Sequence, residues 1–61
     1  MDNMELTKVS YRLNSLKNDY GKIFKLLGSE HKEVSRMAKI QLKEIDMEIK
    51  KLERKYKELS N

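Results

Sequence analysis

The sequence predicts an all-α protein: an antiparallel two-helix hairpin, coiled-coil-like, that dimerises into a four-helix bundle. Three observations lead there. The 61 residues contain no Pro and only 2 Gly, with Lys, Glu, Leu and Ile prominent, a composition suited to helix throughout. Each half of the chain carries a row of apolar residues spaced alternately by three and four. Between the halves stands Gly28-Ser29, and the apolar phase breaks there by one residue, which argues against a single continuous rod.

Residues 1–61 read as one unit. Asp2 and Glu5 fit an N-cap and its capping-box partner, so helix 1 is expected over about residues 3–27. Its apolar row is Leu6, Val9, Leu13, Leu16, Tyr20, Ile23 and Leu27. A seam of alternating a and d positions this long is made for another helix. Phe24, beside Ile23, is expected to widen the core near the turn. Gly21 falls on the outer side of the helix. Gly28 suits a left-handed C-cap and Ser29 an N-cap.

The turn is expected over about residues 28–33, centred near His31-Lys32, with helix 2 over about 34–60. Helix 2 carries Ala38, Leu42, Ile45, Ile49, Leu52, Tyr56 and Leu59 at the same alternating spacing. Folding the chain back opposes the two rows layer by layer, from Leu27 against Ala38 at the turn to Leu6 against Leu59 at the open end. A tighter alignment, by three or four residues, also keeps apolar residues opposed. The spacing leaves both open.

Composition excludes several function classes. Without Cys there can be no disulfide knot, and a single His offers no obvious metal site, so no metal and no cofactor are expected. A chain this short cannot build an α/β enzyme, and small scaffolds lean on oligomerisation or a partner. The opening residues lack a basic start followed by an apolar run, so they do not read as a signal peptide. No apolar run approaches the length needed to span a membrane. A cytoplasmic, non-membrane protein is expected. The net charge of +4 is only mildly basic; it permits contact with nucleic acid without demanding it.

The outer faces carry the functional candidates. Met37, Ile40 and Met47 lie opposite the helix 2 seam, while Met4, Tyr11 and Leu26 lie off the helix 1 seam. Met37, Ile40, Met47, Tyr11 and Leu26 are the candidate protein-binding residues, most simply for a homodimer. Lys32, Arg36, Lys39, Lys43, Lys50, Arg54 and Lys57 fall within about 60° of one another around helix 2. They form a basic face that can track phosphates or an acidic protein surface. Glu30, Glu33, Glu44, Glu48 and Glu58 gather on another side, interrupted by Lys51 and Lys55. The basic face lacks Asn or Gln to read base edges and has no interleaved aromatics, which argues against sequence-specific readout. His31, in or beside the turn, has no pocket to shield a reaction, so no catalytic residue is assigned.

The turn segment Gly28-Ser29-Glu30-His31-Lys32-Glu33-Val34, chiefly Gly28, Glu33 and Val34, resembles the connecting loop of the small sporulation-type aspartyl-phosphate phosphatases of bacilli. That family's Ser-Gln-Glu-Leu-Asp run, shifted by about one helical turn, falls on Leu42-Lys43-Glu44-Ile45-Asp46 and shares Glu44 and Asp46. The resemblance implies an antiparallel helical hairpin acting on a phosphorylated response regulator. The outline and basic flank are also similar to the small two-helix protein of the large ribosomal subunit, a likeness of shape. From the residues themselves, the expectation is a small non-enzymatic regulatory or adaptor protein that binds a protein partner through its helices. The alternatives are a nucleic-acid-associated protein using the basic face, and the phosphatase that the resemblance implies.

Overall fold

The computed structural model describes residues 4–60, and all its regular structure is helical. Helix α1 runs Met4–Phe24, tightens into a 3₁₀ segment over Lys25–Gly28, and is followed after Ser29–His31 by α2, Lys32–Ser60. The two helices lie side by side and antiparallel, giving an elongated body of 51 × 14 × 10 Å. The proposed cap at Asp2, and a helix start at Asn3, lie outside the described residues.

The turn is shorter than its sequence suggested, and α2 begins at Lys32. Gly28 does not adopt the left-handed conformation, since no glycine in the described chain has positive φ. The helix instead ends by tightening: Ser29 is extended, with φ −64° and ψ 143°, and its N–H donates to the Leu26 carbonyl at 3.1 Å. A 3₁₀ turn satisfies the last carbonyls without a positive-φ residue. Ser29 does not immediately precede α2 as its cap. Its Oγ accepts the His31 N–H at 3.2 Å and so shapes the turn, while the His31 carbonyl accepts the Ser35 N–H at 3.1 Å and opens the helix.

Burial follows the two apolar rows. Val9, Leu13 and Leu16 are buried on α1, Ala38 and Leu42 on α2. Their seam neighbours Tyr20, Ile23, Leu27, Ile45, Ile49 and Leu52 are half-buried. A single helix–helix contact has no third layer, so the bulkier residue on one side screens the smaller on the other while staying partly in water. Towards the open end the seam thins: Leu6 is half-buried, and Tyr56 and Leu59 are exposed. Phe24 is a correction. It is 56% exposed, standing at the seam's edge and stacked on Tyr20 with ring centroids 6.3 Å apart.

Polar contacts between the helices fall on both sides of the wider layering and do not select the tighter one. The Ser35 hydroxyl donates to the Leu27 carbonyl at 3.1 Å, nearer the turn than Ala38. Arg12 meets Glu48 at 3.1 Å and Glu5 meets Lys55 at 3.7 Å, both displaced towards the turn relative to the wider layering. On the opposite edge the long Lys17 and Glu53 side chains reach the other way and meet at 3.9 Å. All three pairs are about half-exposed, so each contributes at most about 1 kcal/mol and serves mainly to flank the seam.

Gly21 sits within α1, and a Cβ built there meets nothing within 4 Å. Gly21→Ala is therefore expected to stabilise the fold by about 0.5–1 kcal/mol, through lower backbone entropy in the unfolded chain. A urea titration followed by helical circular dichroism would register this as a raised midpoint with unchanged slope. An unchanged or lowered midpoint would contradict it.

Candidate functional site

The surface offers two kinds of chemistry, which adjoin one another around α2. The first is apolar. Met37, Ile40 and Met47 are 57%, 52% and 56% exposed and run along the outer ridge of α2. They point away from the seam because each is out of phase with Ala38, Leu42 and Ile45 on a helix of 3.6 residues per turn. Leu26, also exposed, belongs to the 3₁₀ segment at the turn end. Val34, which the sequence reading had not singled out as a binding residue, is exposed at that same end in the first turn of α2. Tyr11 stands apart on α1, towards the open end. It borders a shallow recess of about 360 Å³ with Leu6, Ser10, Asn14 and Tyr56. The five candidate binding residues therefore form one ridge, one turn-end position and one separate site.

The second is cationic. All seven members of the basic face are exposed. Lys50 is held by Asp46 of its own helix at 3.1 Å. Among the described residues Lys32, Arg36, Lys39 and Lys43 enter no ion pair, nor do Arg54 and Lys57. Nearer the open end the two helices border an open groove of about 710 Å³. Lys17, Lys50, Arg54 and Lys57 line it against the one carboxylate of Glu53, with Ser10 and Asn14 on the α1 side and Leu13 and Tyr56 also in the wall. Four cations and one acid leave the groove positive.

Phe24 belongs to this second surface. The Lys17–Glu53 contact marks one edge of the hairpin. Phe24 follows Lys17 by one heptad along α1, and Lys39 precedes Glu53 by two along α2, so both lie on that edge. Sequence reasoning placed Phe24 in the core because it adjoins Ile23. Its phase, one step beyond the seam position, was the available signal for an edge.

His31 is exposed in the turn, and its backbone N–H is taken by Ser29. Among the described residues no group of three or more His, Cys, Asp or Glu is arranged to hold a metal ion. Glu44 and Asp46, the two positions shared with the phosphatase run, are separated by about 200° around α2 at 3.6 residues per turn, so they face nearly opposite sides. Asp46 is engaged by Lys50, whereas Glu44 is exposed. No described helix is long and apolar enough to cross a membrane. Comparison with known proteins finds no matching family model, no matching curated protein and no matching solved structure.

Proposed function

We propose that this protein is a non-enzymatic, cytoplasmic adaptor or regulatory protein that works by laying the outer ridge of α2 on a protein partner. We further propose that, when no partner covers it, two copies pair through the same ridge, joining their coiled-coil hairpins as a four-helix bundle. The observation that carries this reading is the imbalance of burial. Among the described residues five side chains are buried, whereas Met37, Ile40 and Met47 stand more than half exposed in one row. Apolar area left in water is free energy still available for association, about 25 cal/mol per Å² covered. Methionine suits such a face because its flexible thioether adapts to differing partner shapes. The lone turn histidine and the opposed carboxylates Glu44 and Asp46 supply no convergent acid–base pair, which favours recognition over catalysis.

Sedimentation equilibrium at tens of micromolar tests the self-association directly. Wild type is expected to sediment as a dimer. Ile40→Glu with Met47→Glu is expected to give a monomer of undiminished helicity, because both side chains are exposed in the hairpin. A wild-type monomer at these concentrations would overturn the four-helix bundle. Photo-crosslinking from position 40 in native lysate, compared with crosslinking from position 22 on α1, then tests the partner. Equal capture from both positions would overturn the ridge as the docking surface.

A further inference from the structure

We infer that the face opposite the Arg12–Glu48 edge is a binding surface for single-stranded nucleic acid, with the basic row of α2 following the phosphates and Phe24 as a stacking platform for a base. This goes beyond the protein-docking ridge and uses different residues.

Charge is the first argument. Lys32, Arg36, Lys39 and Lys43 are all exposed and enter no ion pair among the described residues. Spaced by four, three and four residues, they follow one line over about 16 Å of helix at 1.5 Å per residue. Cations on a helix are ordinarily tempered by acids three or four residues away. Here the positions four residues from Lys39 are Ser35 and Lys43, and those four residues from Arg36 are Lys32 and Ile40. The acids within reach are three residues off, Glu33 before Arg36 and Asp46 after Lys43, and Asp46 is taken by Lys50, so cations outnumber acids along the row and a bound polyanion would relieve their repulsion. Beyond it, the groove bordered by Lys17, Arg54 and Lys57 continues the positive potential towards the open end.

The second argument is aromatic, and it selects the kind of polyanion. Phe24 is 56% exposed, lies on the same edge as Lys39, and is braced from behind by Tyr20, with an interplanar angle of 22°. A ring held by its neighbour in a stack presents its outer face without further ordering. Surfaces that bind single strands combine a cationic track with such rings, because every base has a π-face to stack. A duplex keeps its bases stacked on each other and makes no use of the ring. An acidic protein segment would answer the charge but not the aromatic. No Asn or Gln lies within the row, so binding is expected to be indifferent to sequence.

The test is fluorescence anisotropy of a labelled oligothymidylate of about 16 nucleotides, at the upper end of the site size such surfaces cover. A duplex of equal length and polyglutamate serve as competitors. Wild type is expected to bind at low salt, with log K falling linearly against log salt. Substituting Lys32, Arg36, Lys39 and Lys43 together by Gln is expected to reduce that slope by roughly three. Phe24→Leu is expected to weaken single-strand binding roughly 5- to 150-fold while leaving duplex binding unchanged, and Phe24→Tyr is expected to restore it. Circular dichroism of each variant verifies that the helices persist. Absence of binding at low salt, equal competition by polyglutamate, or indifference to both sets of substitutions would each overturn the inference. Should Phe24→Leu lose helicity, the Gln variant and the Phe24→Tyr comparison decide the matter alone.

Discussion

Leu16→Ala is expected to destabilise the hairpin by about 3 kcal/mol, within the range of about 2–5 kcal/mol for truncating a buried leucine. Leu16 is the most buried large side chain, at 3% exposure, and lies near the middle of α1. Removing it leaves a void that neighbours on one opposing helix can only partly fill. A chain of this length holds a total stability of about 3–9 kcal/mol, so one substitution consumes a large share of it. Urea denaturation at fixed protein concentration should show the midpoint falling steeply, with part of the population unfolded before denaturant is added. Tyr11→Ala is the control: at 72% exposure it should move the midpoint by no more than about 0.5 kcal/mol equivalent. Equal effects from the two would mean that the seam is not the core.

Ala38→Leu is expected to cost about 2 kcal/mol for the opposite reason. Ala38 is the most buried of the described residues, at 1% exposure, and it sits close to the turn where the helices are tied together. Three extra carbons there have no free volume to enter, and overpacking of this kind costs about 1–3 kcal/mol. The three-residue connection and the Ser35–Leu27 hydrogen bond prevent α2 from simply stepping back. Hydrogen exchange should show the loss concentrated in the first turns of α2, while amides near Ile49 keep their protection. Loss spread evenly along both helices would show that the turn does not hold the spacing.

The two-helix architecture was legible in the sequence because seam periodicity is a property of residue spacing alone. Fourteen apolar positions in two phased rows admit few other folds. The turn was harder to read. Gly28 and Ser29 both suit helix ends, but their roles depend on how the last carbonyls are satisfied, and the 3₁₀ segment achieves that without left-handed backbone. Phe24 was misplaced because adjacency to Ile23 was weighed above angular position, where one residue is a rotation of about 100°. The alignment of the rows was not legible either, since both candidates oppose apolar with apolar. The ion pairs do not choose between them: Arg12–Glu48 and Glu5–Lys55 are displaced towards the turn from the wider layering, and Lys17–Glu53 is displaced as far the other way. The exposed ridge and the basic row were visible as patterns, but which edge of the body the basic row borders required the Lys17–Glu53 contact.

The connection of only three residues between Gly28 and Lys32 also governs how the molecule assembles and comes apart. Closing a loop of about ten residues takes on the order of 10–100 ns, and short loops close at least entropic expense. Contact between Leu27 and Ser35 therefore forms early, and each further layer closes a loop only slightly larger than the last. Assembly is expected to proceed as a zipper from a single hinge, with the Glu5–Lys55 pair, near the open end, among the last to engage and the first to release. Thermal opening is accordingly expected first at the pole where Tyr56 and the cationic groove lie, while Leu26, Val34 and Phe24 stay on the clasped end.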